Sequence, residues 1–197
     1  MPLSLVQILP PAVEPVSVDE FKVHLRLDTD AHDSMLAALL MAARQMLELT
    51  LWRQFITATY ALGLDTWQSV IELPRPPLAS LTASTEAPDL GIAYVGSDGV
   101  LVTLDPSAYQ VDLAAQPGRV VPVGGWPGLG TGMNTVIITY QAGYGSAPLD
   151  VPAPLRQAIL LYAADMYEHT EAQAEHRLHE NTTVCRLLGP YRNLEMY

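Results

Sequence analysis

Two stretches of the sequence combine residue types that carry chemistry at spacings short enough to act together. His176 and His179 lie three positions apart, so a helix would put them on one face, and Glu175 and Glu180 beside them complete a carboxylate and imidazole set able to hold a divalent metal. With Glu171 and Arg177 close by, the same residues also read as a solvated helix end, which is the simpler account. The run Gly124-Gly125-Trp126-Pro127-Gly128-Leu129-Gly130-Thr131-Gly132 has the glycine content of a phosphate loop. It lacks Lys, leads into a strand pattern and opens no helix, which argues against a nucleotide site. It reads instead as a mobile loop or tip, with Trp126 either pinning it to a sheet or meeting a partner.

The remaining candidates dissolve into local structure. His24 and His32 flank an acidic turn with no paired nucleophile, so a Ser/His/Asp triad has no local support and His24 reads as a surface or subunit contact. Two carboxylates doing glycosidase work can come from anywhere in an acidic chain. Asp65, Asp89, Asp98, Asp105 and Asp112, however, all fall at expected strand ends or turns, where Asp satisfies nearby backbone amides. The lone Cys185 rules out an internal disulfide and a Cys-based zinc site, and beside Arg186, Leu187 and Leu188 it reads as a packing residue. No catalytic, cofactor or metal residue is therefore assigned, and the chain is expected not to be an enzyme.

Composition agrees with that direction. The 197 residues are 49% hydrophobic and only 16% charged, an apolar balance that suggests surface buried in an oligomer. A formal charge of −11 argues against gripping DNA, which needs clustered Lys and Arg, but suits a surface that DNA passes without sticking. The longest apolar stretch, Met35 to Ala43, is too short for a membrane span. Without Lys or Arg before Lys22, the charged head of a secretory signal is missing, so the chain is expected to be intracellular at synthesis.

Prolines divide the elements that must position these residues. None lies between Val16 and Leu73 or between Leu155 and Gly189, so helices should flank a strand-rich centre. A capping box, Ser17 with Glu20, opens a first helix ending near Leu27. The second helix starts after Asp30 or Asp33, with Leu36, Leu39, Leu40, Ala43 and Leu47 on one face. A second stripe, Met35, Ala38, Ala42, Met46 and Leu49, leaves little polar surface beyond Arg44, Gln45 and Glu48, so the helix is expected to be buried on two sides, within the subunit or between subunits. Period-two patterning predicts a strand over Gln54 to Leu64. Shorter strands follow around 70–73, 78–82, 92–95, 100–104, 109–113, 119–121 and 135–140, with Asp98-Gly99 as the strongest hairpin turn. A third helix begins near Pro154 and ends between His169 and Gln173, and a helical turn over Thr183 to Leu188 closes on Gly189-Pro190. The fold class is α+β: helical N- and C-terminal segments packed together against an inserted small antiparallel β-module. One domain spans 1–197, with a helical part at 1–53 and 150–190, a β-rich insertion at 54–149, and a tail at 187–197 that has nothing local to cover it.

In order and spacing, these segments resemble the head-tail connector, or adaptor, proteins of tailed phages and gene transfer agents. The most specific piece is the opening helix and acidic turn, Pro15-Val16-Ser17-Val18-Asp19-Glu20-Phe21-Lys22-Val23-His24-Leu25-Arg26-Leu27-Asp28. Ala42-Ala43-Arg44 with Leu47-Glu48, Leu73-Pro74-Arg75-Pro76-Pro77-Leu78 and Thr139-Tyr140-Gln141-Ala142-Gly143-Tyr144-Gly145 follow in the family's order. Val151-Pro152 through Tyr167-Glu168 resembles its long helix, and Leu187-Leu188-Gly189-Pro190-Tyr191-Arg192 its C-terminal segment. The chain departs from the pattern at His169-Thr170 and in the Glu/His-rich stretch beyond.

The resemblance implies a virion neck protein, made in the host cytoplasm. It implies a ring of twelve copies under the portal protein that extends the DNA channel and meets a stopper or tail-completion protein below. The residues themselves add the expectation of no cofactor, no membrane and no specific DNA contact. The resemblance also implies portal docking by Leu187, Leu188, Tyr191, Arg192, Leu194, Met196 and Tyr197. Candidates for the subunit interface are Met35, Ala38, Ala42, Met46, His24 and Trp126. Two readings from other classes stay open: a carbohydrate- or ligand-binding β-module, suggested by Trp67, Trp126 and the central tyrosines, and a hydrolase with two unrecognised carboxylates.

Overall fold

Ser17 and Glu20 start helix α1 (Val18–Leu25) by exchanging hydrogen bonds. The Glu20 amide donates to Ser17 Oγ at 3.1 Å and the Ser17 amide to Glu20 Oε2 at 2.9 Å, satisfying two donors that a helix start leaves orphaned. Arg26 ends the helix in the left-handed region, at φ 58°, where its amide reaches back to the Lys22 and Val23 carbonyls. Helix α2 (Asp33–Leu51) buries Leu36, Leu40, Ala43, Leu47 and Leu51, one stripe at helical spacing. Lys22 of α1 binds Asp30 before α2 and Asp33 at its first position. These two carboxylates push the Lys22 ammonium up to about 12, and Lys22 in turn holds the Asp30 carboxyl below its usual range. Helix α3 (Ala153–Glu168) packs Leu155, Ala158, Ile159 and Ala163 into this group, and the short α4 (Thr182–Leu188) adds Val184 and Leu188. Arg156 of α3 donates to Glu20 Oε1 at 2.6 Å and to the Pro15 carbonyl at 3.1 Å, holding the start of α1.

The computed structural model describes residues 4–81, 90–168 and 182–192, and it divides into two units. The helical unit comprises Val13–Ile56 and Gly145–Tyr197; the β unit comprises Met1–Ala12 and Thr57–Tyr144. Within the β unit, strands β1 (Ser4–Leu9), β2 (Ala58–Leu64), β9 (Val136–Ala142), β5 (Gly91–Val95) and β6 (Leu101–Thr103) lie side by side in that order, every pair antiparallel. β4 (Leu78–Ser80) pairs with β9 as the sixth strand. A second sheet has the order β3 (Ile71–Leu73), β8 (Gly118–Pro122), β7 (Tyr109–Asp112). One core joins the two sheets: Tyr60, Leu62, Ile138 and Tyr140 from the larger meet Ile71, Leu73, Val120 and Tyr109 from the smaller. Each such aliphatic side chain contributes about 1.5–3 kcal/mol when fully buried. Burial also pushes the Tyr140 phenol well above its ordinary pKa, and its hydroxyl donates to the Pro74 carbonyl at 2.8 Å.

The mixed α+β architecture follows the sequence reading, and the hairpin forms at Asp98-Gly99, where Gly99 takes φ 80° and Asp98 Oδ1 accepts from the Val100 amide at 3.1 Å. Three expectations need correction. Residues 1–53 do not all belong to the helical part, because Ser4–Leu9 forms the edge strand of the larger sheet. The strand expected from Gln54 begins only at Ala58, since Gln54 and Phe55 spend their side-chain and backbone N–H donors on Glu48 inside the helical unit. The strand expected over 78–82 is described only as Leu78–Ser80. By length and composition α2 is apolar enough to cross a membrane; its inward stripe packs instead against α3 in the helical unit.

Candidate assembly surfaces

Among the described residues the outward side of α2 is uncovered. Met35, Met46 and Leu49 are 36, 46 and 56% exposed, Ala38 is exposed and Ala42 is half-buried, while Met41 beside them is 45% exposed. Among the described residues, packing within the subunit buries the Leu36–Leu51 stripe and leaves the second stripe uncovered, so of the two expected burials the structure contains one. Thioether and methyl groups on this face adapt readily to an irregular opposing surface.

Arg44 and Glu48 depart from the sequence reading in the opposite sense. Expected on the polar surface, they are 5 and 6% exposed. Arg44 donates through Nε and Nη2 to the two oxygens of Glu14 at 2.6 and 3.0 Å, and through Nη1 to Glu48 Oε2 at 2.7 Å. Glu48 Oε1 accepts from Gln54 Nε2 at 2.8 Å and from the Phe55 amide at 2.9 Å. Burial pushes the Glu48 carboxyl above its ordinary value, and Arg44 and the Phe55 amide pull against it. Desolvation also opposes the Arg44 charge, but Glu14 and Glu48 outweigh it and hold the guanidinium protonated. The network fixes α2 to the segments on either side of it. The only sequence signal was the spacing of Arg44 and Glu48, four apart on one helix.

In the β unit Trp126 is pinned. Its ring stacks on Trp67 with centroids 4.4 Å apart and planes 7° from parallel, and Tyr94 tilts against Trp67 at 5.8 Å. The bonds are reciprocal: Trp126 Nε1 donates to the Gln68 carbonyl at 2.7 Å, and Trp67 Nε1 to the Pro127 carbonyl at 2.8 Å. The Gly130 amide donates to the Val95 carbonyl at 2.9 Å, and a Cβ at Gly130 would stand 2.7 Å from the Gly96 carbonyl oxygen, so only glycine fits this approach. The glycine-rich run is thus a fixed strap over the sheet rather than a mobile tip. Because the two indoles cover each other, a sugar has no open stacking platform on their shared face.

The turn aspartates hold backbone. Asp65 accepts from the Asn134 amide at 2.7 Å, Asp105 from the Ser107 amide and hydroxyl, and Asp112 from the Ala114 and Ala115 amides and from Arg119. Ser107 holds the Asp105 carboxyl below its usual value, and Arg119 does the same for Asp112. Among the described residues no three His, Cys, Asp or Glu side chains gather where a metal would sit. Asp89, Glu175, His176, His179 and Glu180 lie outside the described residues.

At the C-terminus the structure divides the docking candidates. Leu188 is 3% exposed within the helical unit, which removes it as a contact; helical spacing directs it inward with Val184. Leu187 and Tyr191 are half-buried and Arg192 is exposed. Arg53, itself 5% exposed, donates through Nε to the Tyr191 carbonyl at 2.6 Å, so the chain is anchored at least that far. The tail is therefore not uncovered from Leu187 onward. Leu194, Met196 and Tyr197 fall outside the described residues, and His24 is exposed on α1.

No family model matches the sequence. The head completion protein gp6 of Enterobacteria phage HK97 is 46% identical over 44 residues, 22% of this chain. That stretch is 41% of the phage protein, so the chain spans about two fifths of the length of the curated relative it matches. Solved structures match far more of the chain. A chain from the neck of an empty gene transfer agent particle, computed with C6 symmetry, is 27% identical with TM-score 0.77, covering 100% of this chain and 98% of that one. Another from the neck of a native gene transfer agent particle, computed with C12 symmetry, is 26% identical with TM-score 0.75 and the same coverage. A chain of the virion of the native particle, 24% identical, shares the fold with TM-score 0.78 over 98% of this chain and 97% of that one.

Proposed function

We propose, on the premise that this chain belongs to the phage head-tail connector family, that it is a structural subunit of the particle neck, joining head to tail. The observation that carries this reading is the end-to-end likeness to a chain of a gene transfer agent neck. In this role the subunits form a closed ring beneath the portal, extend the DNA channel and receive the stopper or tail-completion protein below. Twelve copies accord with the C12 symmetry of one of the similar necks. The work is mechanical rather than enzymatic: it consists of making interfaces and leaving a passage. A net charge of −11 suits a passage that must not retain the phosphate backbone.

The open face of α2, with Met35, Ala38, Ala42 and Met46, supports lateral packing between neighbouring subunits, and His24 on α1 is exposed and available to the same contact. Trp126 is needed by its own subunit and is at most a peripheral contact. Portal docking falls to Leu187, Tyr191 and Arg192 together with Leu194, Met196 and Tyr197.

Truncation after Arg192 tests the docking assignment. It spares Leu188 and the Tyr191 carbonyl, so the helical unit should keep its unfolding midpoint while association with portal particles is lost. Normal portal binding by the truncated chain refutes the docking role. Electron microscopy of the full chain purified with its portal should show a ring at the portal's tail-facing end, and the neck assignment fails if the protein sits elsewhere.

A further inference from the structure

The six strands of the larger sheet contain no Asp, Glu, Lys, Arg or His, in a chain with 21 acidic residues, 10 Lys and Arg, and 5 His. The two ends of its main run of strands, β1 and β6, are apolar and pair with no further strand among the described residues. On β1, Val6 is 59% exposed, Ile8 49% and Leu9 60%; on β6, Leu101 is 62% and Val102 39% exposed, and Val100 just before them is 55% exposed. Proteins normally protect sheet edges with charges, prolines or bulges, since an unguarded row of backbone donors and acceptors recruits another strand. β1 has only the slip between Gln7 and Leu9, which leaves Ser4 to Gln7 in regular register with β2. β6 has neither charge, proline nor bulge, and only its length of three residues limits it. The smaller sheet of the same unit is protected at both ends, with exposed Glu72 on β3 and exposed Asp112 on β7.

The two open edges also match each other. Four successive antiparallel pairings separate β1 from β6, so both strands run in the same direction. The registers place Ser4, Gly63, Ile137, Ala93 and Thr103 in one row across the sheet. A cyclic ring repeats one contact between two different patches of each subunit until it closes. Two unlike, unguarded edges of one sheet are such a pair of patches.

We infer that β1 of one subunit pairs in parallel with β6 of its neighbour, so that the larger sheet continues from copy to copy around the ring. This rests on the neck reading above and names the partner of the sheet edges as a second copy of this chain. Main-chain hydrogen bonds supply the adhesion, and the absence of charge on either strand leaves nothing to be stranded when the edges meet.

Particles built from the full chain with Cys185→Ser, and with cysteine at Ser4 or Val6 combined with cysteine at Leu101 or Thr103, test the pairing with a short thiol cross-linker. A ladder of covalent multimers from at least one of the four combinations is expected. Necks that are complete by electron microscopy but give no ladder from any combination overturn the strand pairing and leave the neck role standing. A chain absent from the neck overturns both. In parallel, Val6→Lys with Leu101→Lys should abolish complete necks without moving the unfolding midpoint of the isolated subunit, whereas Leu113→Lys, beside the guarded edge, should assemble normally. Complete necks from the Val6/Leu101 variant refute the inference.

Discussion

The smaller sheet ends in Glu72 on one side and Asp112 on the other, whereas the larger ends in β1 and β6, neither of which has an ionisable side chain. Both sheets line one core, so the difference cannot come from what the interior requires. It lies at the margins, where a charge costs little in water and much if another strand must cover it. A sheet guarded on both sides is built to end; one without charge on either side has no such barrier to another strand. In the smaller sheet the guards are themselves in register: Glu72 stands opposite Arg119, and Arg119 opposite Asp112, to which it donates at 3.0 Å.

The largest expected effect tests the shared core. Ile138→Ala, at a fully buried position of β9, should cost about 2–5 kcal/mol. Urea unfolding should show both sheets lost in one transition; two separate transitions would mean that the sheets do not stand on a common core. Next comes removal of the guards. Glu72→Val with Asp112→Val should make the isolated protein self-associate with rising concentration beyond its parent, as read by sedimentation velocity. Unchanged sedimentation would show that these charges are not what keeps the smaller sheet single.

A smaller change addresses the strap that crosses the sheet. Trp126→Phe retains an aromatic ring but loses the donor to the Gln68 carbonyl, and should cost about 0.5–1.5 kcal/mol in unfolding free energy. Neck assembly should be unaffected, which separates an internal pin from a partner contact. The smallest effect is electrostatic. With its folded pKa held down chiefly by Arg119, the Asp112 carboxylate favours the fold above its ordinary pKa, and that contribution fades as pH falls through the lower folded value. In Arg119→Ala the Asp112 titration, followed by NMR, should move up toward the ordinary carboxylate range while the fold persists.

Much of the helical unit was legible because its signals are local. The Ser17 and Glu20 pair, the Leu36-to-Leu47 stripe and the proline before Leu155 each specify an element within a few residues of themselves. The Asp98-Gly99 hairpin is of the same kind. The candidate surfaces were less legible. Periodicity identified two apolar stripes on α2 but gave no information on whether the chain itself covers both, and the resemblance placed Leu188 in a docking tail although helical spacing turns it inward with Val184.

β1 was hidden for another reason. Ser4–Leu9 was counted with the helical part, and the strand forms because β2, fifty or more residues on, offers it a partner. Arg44 and Glu48 look like helix surface from spacing alone; Glu14, thirty residues before Arg44, and Gln54 and Phe55 beyond the helix end bring them inside.

The sequence by itself determined the helices, the hairpin, the charge balance and the apolar stripes, because each depends on composition or on spacing along the chain. Only the tertiary structure decided which of those residues are consumed internally and which remain open. Burial and strand pairing are relations between distant segments, and no local period records them. That is how Trp126 and Leu188 became internal supports, while among the described residues the outer face of α2 and the strands β1 and β6 kept exposed apolar side chains.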